Sequence, residues 1–127
     1  MHETHKEDII RKYIEAYNRF NIDEMLTLVH PDITFRNISH GETNVHTHGK
    51  PEFEALARKS AASFTVRSQS LRSLQIIDDK AIAEIDFLAL LARDLPHGLK
   101  AGEKLELKGT SEFLFKDGLI WSVTDES

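Results

Sequence analysis

The sequence predicts an α+β fold, in which a cone of three N-terminal helices packs on a curved antiparallel sheet. Two observations predict it. Apolar residues recur at helical spacing through much of residues 9–62, and strand-like segments joined by short turns fill residues 64–124. Because the strands follow the helices instead of alternating with them, the helices are expected to cover one face of the sheet.

The first helix is predicted to begin with a capping box, Thr4–Glu7, in which each end residue bonds the backbone amide of the other. Its apolar face comprises Ile9, Ile10, Tyr13, Ile14, Tyr17 and Phe20. Asn21 is predicted to cap a second helix, which His30–Pro31 ends because the residue before proline avoids the α region. Pro51 suits the first turn of a third helix, running to about Ala62.

Five strands are predicted after the second helix. In the first, Ile33, Phe35 and Asn37 alternate with polar residues, which is typical of a half-buried strand. The polar stretch Ser39–Gly49 indicates a loop. The remaining strands are predicted at residues 64–77, 81–92, 105–116 and 119–124. Asp117–Gly118 between the last two is typical of a hairpin turn.

Composition limits the partners and the compartment. The 127 residues should form one domain, residues 1–127, with its own hydrophobic core. A net charge of −5 argues against nucleic acid or an anionic membrane as a partner. The chain has no cysteine, which excludes disulfides and thiolate metal sites. The charged N-terminus and the short apolar runs predict a soluble, cytoplasmic protein.

The strand at residues 81–92 predicts a subunit interface. Beyond Asp86 its odd and even positions are both largely apolar, so both faces of the strand should be covered. The helices cover only one face. A homodimer through the other face of the sheet is therefore expected.

Four segments carry a resemblance to a known family: the helix junction at residues 18–28, Asp32–Phe35, the helix start at residues 49–56, and Phe113–Ile120. The layout resembles the SnoaL-like group of the nuclear transport factor 2-like superfamily, relatives of ketosteroid isomerase, limonene-epoxide hydrolase and SnoaL-type polyketide cyclases. The resemblance implies a helix–sheet pocket for a small, largely apolar molecule. It also implies acid–base chemistry of isomerase, cyclase, dehydratase or hydrolase type, without a cofactor or metal.

The ketosteroid isomerase pattern matches only in part. Its oxyanion-hole tyrosine falls on Tyr13, the position of its carboxylate base on Asn37, and its protonated aspartate on Ser111. Asparagine cannot take up a proton as that base does. The missing base argues against steroid isomerisation.

The limonene-epoxide hydrolase pattern supplies two carboxylates. Asn37 matches its water-holding asparagine, Asp125 its base and Asp86 its acid. Its arginine, however, is replaced by Glu84, and its water-binding tyrosine by Phe35. Replacing a cation with an anion reverses the local field, which argues against the same chemistry.

Residue spacing suggests how the acids could act together. Glu84 and Asp86 lie two apart on one strand, so their side chains share a face. If that face lines the pocket with Asp125, the like charges raise at least one pKa and create a general acid beside a general base. If it does not, these acids face water.

The predicted site follows from these matches. Asp86 and Asp125 would move a proton or activate water, while Tyr13 and Asn37 would orient an oxygen of the ligand. The predicted ligand-binding residues are Tyr17, Phe35, Glu84, Leu88, Ser111, Phe113 and Trp121.

Two alternatives remain open. A non-catalytic ligand-binding or dimerisation module on the same fold is favoured by the missing arginine and isomerase carboxylates. A metal-dependent lyase or oxygenase would use His46, His48 and a carboxylate such as Glu52, but Glu52 falls at a predicted helix start, so no metal ligand is predicted. His2, His5 and His97 are assigned no role.

Overall fold

The computed structural model describes residues 3–95 and 98–127. Two predicted features lie outside the described residues and side chains: the side chain of Thr4 in the capping box, and the N-terminal and turn histidines His2 and His97.

The described residues form three helices and a six-stranded sheet. The elements in chain order are α1 (Glu3–Asn18), α2 (Ile22–Thr27), β1 (Val29–Ser39), β2 (Glu42–His48), α3 (Lys50–Ala61), β3 (Phe64–Ile77), β4 (Lys80–Leu91), β5 (Lys104–Lys116) and β6 (Leu119–Glu126). The strand order across the sheet is β2-β1-β6-β5-β4-β3. The α+β class is therefore confirmed. No described helix is long and apolar enough to cross a membrane.

Two details of the predicted layout are wrong. The predicted loop at Ser39–Gly49 contains β2, which pairs with β1 around a turn where His40 and Gly41 have φ values of 52° and 81°. Two positive φ values suit a tight hairpin, but His-Gly is not among the usual sequence signals for one. As a result α3 follows two strands, whereas the sequence predicts one strand before the third helix.

The second helix ends earlier than predicted. Asn21 caps it as expected, its Oδ1 accepting a hydrogen bond from the Glu24 amide at 3.1 Å. However, α2 ends at Thr27, and Val29 already pairs in parallel with Ile120 of β6. This parallel β1–β6 pair also departs from the purely antiparallel sheet that the sequence predicts.

Strand register decides which residues face the helices. In β4 the odd-numbered residues Ala81, Ala83, Ile85, Ala89 and Leu91 are buried, and the first three pack in one cluster with residues of the helices. Their even-numbered neighbours point to the opposite side. We call the helix-covered side of the sheet the inner face and the opposite side the outer face. The core lies on the inner face, and its largest fully buried side chains are Phe113, Ile10, Ile33, Leu91, Ile120, Val29 and Val123.

Candidate functional site

A cavity of about 230 Å³ lies between the helices and the inner face of the sheet. Most of its wall is apolar, with contributions from Met25, Phe35, Phe53, Leu56, Phe113 and Val123. A second cavity of about 160 Å³ adjoins it. The residues that line both are Tyr17, Asn37, Gln69, Ser111 and Asp125. An apolar chamber with a few convergent polar groups is the usual form of a small-molecule site.

Asp125 is a carboxylic acid in this largely apolar chamber. Strand pairing places it opposite Ser111 of β5 and beside Asn37 of β1, so the three residues share the inner face. The Ser111 hydroxyl donates a hydrogen bond to Oδ1 of Asp125 at 2.6 Å. Burial raises the pKa of Asp125 to about 6, although the Ser111 hydrogen bond opposes the increase. Both protonation states are therefore accessible near neutral pH.

Two tyrosines one helical turn apart on α1 contribute phenol groups to the cavity. Tyr13 is buried and meets the ring of Phe113 edge-on, with ring centroids 5.9 Å apart. Burial, with the charge of Asp125 adding to it, raises the pKa of Tyr13 above its ordinary value. Burial raises the pKa of Tyr17 to about 12 despite the opposing charge of Arg67. Both hydroxyls therefore stay protonated at neutral pH and can donate hydrogen bonds.

Asn37 is held by its neighbour in the β1–β2 hairpin. Its Nδ2 donates to Oδ1 of Asn44 at 2.9 Å. The fixed side chain lines both cavities. It can orient a ligand but, as an amide, cannot exchange protons as a base does.

The structure brings seven of the predicted site residues together around the cavity: Tyr13, Tyr17, Phe35, Asn37, Ser111, Phe113 and Asp125. They come from four elements, α1, β1, β5 and β6. The pairing of β1, β5 and β6 accounts for the polar members of the group.

The predicted convergence of three carboxylates is not found. Glu84 and Asp86 occupy even positions of β4 and lie on the outer face, away from Asp125. There Arg72 pairs with both, its Nε 2.8 Å from Oδ1 of Asp86 and its Nη1 3.7 Å from Oε2 of Glu84. The inner face of β4 instead carries odd-numbered residues such as Ala81, Ala83 and Ile85, which pack in the core with residues of the helices. The acid predicted at Asp86 is therefore separated from the cavity by the sheet itself.

Two predicted wall residues are also outside the cavity. Leu88 follows the same even-numbered register as Asp86 and is 42% exposed. Trp121 lies beside the irregularity in pairing between Leu114 and Phe115 and is 38% exposed. The ammonium of Lys116 lies 5.1 Å from its ring centroid. Neither residue lines the chamber that contains Asp125.

His46 and His48 lie on the outer face of the edge strand β2, and both are exposed. The carboxylate of Glu52 accepts a hydrogen bond from the His48 amide at 2.9 Å, which ties the start of α3 to the strand. Within residues 3–95 and 98–127, no group of three histidine, aspartate or glutamate side chains is placed to hold a metal ion.

Sequence reasoning missed Arg67, which lines the cavity from β3. The side chain is only 2% exposed, and its Nε donates to the Tyr17 carbonyl oxygen at 2.7 Å. Its guanidinium carbon lies 3.7 Å from the ring centroid of Tyr17 and 4.5 Å from that of Phe20. A signal existed, because Arg67 and Gln69 alternate in register with the apolar Leu71 of the same predicted strand.

Comparison with solved structures gives the same fold. A candidate polyketide cyclase from Xanthomonas campestris pv. campestris is 22% identical, with a TM-score of 0.79 and coverage of 98% of this chain and 90% of that chain. An LEH-like epoxide hydrolase from M. tuberculosis is 12% identical, with a TM-score of 0.78 and coverage of 97% and 82%. A protein of ketosteroid isomerase-like fold from Catenulispora acidiphila, in complex with trimethylamine, is 14% identical, with a TM-score of 0.74 and coverage of 92% and 82%.

A search of curated proteins found no match. At these identities the structural similarity establishes the fold and leaves the reaction open. The sequence itself provides the family, since the profile of the SnoaL-like domain matches residues 10–123. The chain therefore belongs to the SnoaL-like domain family.

Proposed function

We propose that residues 1–127 act as one SnoaL-like domain that binds a small, largely apolar molecule in the inner-face cavity, with Asp125 as a general acid and base that needs no cofactor. The observation that carries this proposal is the environment of Asp125. Its carboxyl group lines a cavity whose wall is mostly apolar, and burial raises its pKa to about 6. A group that titrates near the working pH can both accept and return a proton.

The neighbouring residues suit a proton transfer at a polarised oxygen. Tyr13 remains a phenol at neutral pH and can donate a hydrogen bond to a ligand oxygen. Asn37, fixed by Asn44, can hold the same oxygen or a water molecule. Asp125 would then remove a proton from the ligand, or from that water, and deliver it again after the rearrangement. One positioned acid or base contributes typically about 10²- to 10⁴-fold in rate.

The composition of the cavity favours a reaction that needs one carboxyl group. Asp125 is the only aspartate or glutamate among the described residues that line the cavity. Isomerisation, cyclisation or elimination can proceed with one group that moves a proton between two positions. The epoxide hydrolase scheme, with separate acidic and basic aspartates, would need a second acid where Asp86 is not available.

The experiment is proton exchange in heavy water. The protein would be incubated in D₂O with small ketones, enones, β-keto esters and epoxides that carry apolar substituents, and exchange or rearrangement followed by NMR. We expect protein-dependent exchange with at least one compound. The Asp125→Asn variant should lose it by about 10²-fold or more, while Asp86→Asn should retain it. Exchange that survives in Asp125→Asn would contradict the assigned role.

A second candidate is a non-catalytic ligand-binding module. The observation that favours it is the position of Glu84 and Asp86 on the outer face, which leaves Asp125 without a partner acid. In that case apolar compounds would raise the melting temperature of the protein without any exchange in D₂O. Asp125→Asn would leave their affinity largely unchanged.

We also propose that the protein forms a homodimer through the outer face. We further propose that it is cytoplasmic, which the lack of cysteine permits. Val66, Leu88 and Leu90 form an apolar patch on neighbouring strands of this face and are 50%, 42% and 38% exposed. Sedimentation analysis should give a dimer that Leu88→Asp dissociates. Ile77→Asp, at the exposed β3–β4 turn, should leave the dimer intact. A wild-type monomer would contradict the proposal.

A further inference from the structure

The guanidinium of Arg67 is a buried cation whose outer nitrogens are unused. Across residues 3–95 and 98–127, neither Nη1 nor Nη2 has a hydrogen-bond partner, and both are shielded from solvent. The side chain also forms no salt bridge with any described carboxylate, whereas Arg72 on the same strand pairs with Glu84 and Asp86. A buried charge without a counter-ion is costly, so its retention calls for an explanation.

A purely structural role accounts for only part of the side chain. The Nε–H bond to the Tyr17 carbonyl ties the end of α1 to β3, and stacking on Tyr17 and Phe20 gives cation–π stabilisation. Asn18 already joins the same two elements, through reciprocal bonds with the Gln69 backbone at 2.7 and 3.1 Å. Neither function uses Nη1 or Nη2. Burial lowers the pKa of Arg67, which reflects the hydration that its charge has lost.

We infer that Arg67 is the anion-binding residue of the cavity, and that the ligand is a monocarboxylate with an apolar body. The inference rests on the proposed function, since it presumes that the cavity holds a ligand. The planar fork of two guanidinium nitrogens matches the two oxygens of a carboxylate, a geometry that an ammonium cannot reproduce. The stacked Tyr17 ring and the Nε bond fix the plane of the fork in advance.

The charges around the cavity also orient such a ligand. Arg67 attracts the carboxylate, and the ionised form of Asp125 repels it. Tyr13 is influenced by both, since the charge of Asp125 raises its pKa while that of Arg67 lowers it. The carboxylate therefore binds at the Arg67 end, and the apolar body extends past Tyr13 towards Asp125. The reacting carbon or oxygen of the ligand is then the part presented to the acid–base group.

The test compares carboxylates with their amides, which have nearly the same shape but no charge. The pairs are benzoate and benzamide, phenylacetate and phenylacetamide, and 4-methylpentanoate and its amide, titrated into the protein near pH 7, where the carboxylates are ionised. At least one carboxylate should bind about 10- to 100-fold more tightly than its amide. Arg67→Met should reduce the carboxylate affinity to that of the amide.

Two further variants keep the test decisive. Arg19→Met removes an exposed cation of α1 and should leave the carboxylate preference unchanged. Arg67→Lys keeps the charge without the fork, and should weaken the carboxylate severalfold while leaving the amide unaffected. If Arg67→Met does not fold, as judged by circular dichroism, the role of Arg67 is tested by two other results. These are the affinities of Arg67→Lys and the preference of the wild-type protein for carboxylates over amides.

The outcomes separate the two proposals. Equal binding of carboxylates and amides by the wild-type protein would overturn the role of Arg67 and leave the cavity as a ligand site. A preference that survives in Arg67→Met, or that disappears equally in Arg19→Met, would also overturn it. If no pair binds at all, the proposed function fails together with this inference.

Discussion

The two faces of the sheet give the same residue types different chemistry. On the inner face, Asp125 accepts one hydrogen bond from Ser111, and burial raises its pKa to about 6. On the outer face, the Asp86 side chain is 44% exposed and lies 2.8 Å from the Arg72 guanidinium. Strand register alone decides which carboxyl group meets the apolar cavity. In this fold, the side of the sheet on which an acid lies therefore decides whether it can act in the cavity.

The two arginines of β3 repeat the contrast. Arg67 points into the core, with its outer nitrogens unpartnered among the described residues. Arg72 follows Leu71 directly, so alternation along the strand puts it on the outer face, where it pairs with Glu84 and Asp86. On the outer face Arg72 therefore pairs with both acids, whereas on the inner face Asp125 and Arg67 have no ion-pair partner among residues 3–95 and 98–127. We expect mutations to reveal this asymmetry.

The largest expected effect concerns stability. Phe113→Ala removes a fully buried inner-face ring that packs against Tyr13 and should lower the free energy of unfolding by about 3 to 5 kcal/mol. Ile77→Ala, at the exposed β3–β4 turn outside the proposed dimer interface, should cost less than about 1 kcal/mol. Urea denaturation measures both. Similar losses for the two variants would contradict the division into a core-bearing and an open face.

The next effect concerns the pH dependence of stability. Asp125 has a pKa of about 6 in the folded protein and about 3.9 in an unfolded chain, so the folded state binds more protons between these values. The free energy of unfolding should therefore fall as the pH rises from about 4 to about 6, by up to about 3 kcal/mol. Below this interval the protonated acid confers its full stabilisation.

Substitution of the two acids sharpens that prediction. Asp125→Asn carries no titrating group, so the decline between about pH 4 and 6 should disappear, and the variant should exceed the wild type by about 1 to 3 kcal/mol near pH 7. Asp86→Asn should retain the decline. Urea denaturation at a series of pH values provides the measurement. If the decline in the free energy of unfolding persists in Asp125→Asn, a group other than Asp125 causes it and the prediction is wrong.

The smallest effect concerns the outer-face ion pair. Because Asp86 and Arg72 are both partly exposed to solvent, Asp86→Asn should change the free energy of unfolding by less than about 1 kcal/mol. The change should shrink further in high salt, since screening weakens exposed ion pairs. A loss above about 2 kcal/mol would mean that the outer face holds this pair as a buried interaction.

Much of the fold could be predicted because its signals are local. The segment predicted to be strand-like at residues 64–77 is β3, Phe64–Ile77, and the Asn21 cap marks the start of α2 as predicted. The end of α2 could not be predicted in the same way, because Val29 pairs in the sheet with Ile120, which is distant in sequence. The edge strand β2 could not be recognised from the sequence because most of its residues are polar. A strand with one exposed face can carry such residues.

The site could be predicted only in part, for a physical reason. The family resemblance pointed to Tyr13, Asn37 and Asp125, which the structure brings to one cavity. The prediction that Asp86 lines the cavity was wrong because both faces of β4 are apolar beyond this residue. Alternation therefore did not indicate which face of the strand is the inner one. Arg67 was overlooked because arginine is normally exposed, and only tertiary packing reveals that its terminal nitrogens are enclosed.

The most direct test of the account is the titration of Asp125 itself. The side-chain carboxyl carbon, labelled with ¹³C and assigned through Asp125→Asn, would be followed by NMR across the pH range in which the protein stays folded. We expect a midpoint of about 6, raised by burial in the inner-face cavity. A midpoint near 4, the ordinary value for aspartate, would mean that water solvates this carboxyl group, and would contradict its role as an acid–base group at neutral pH.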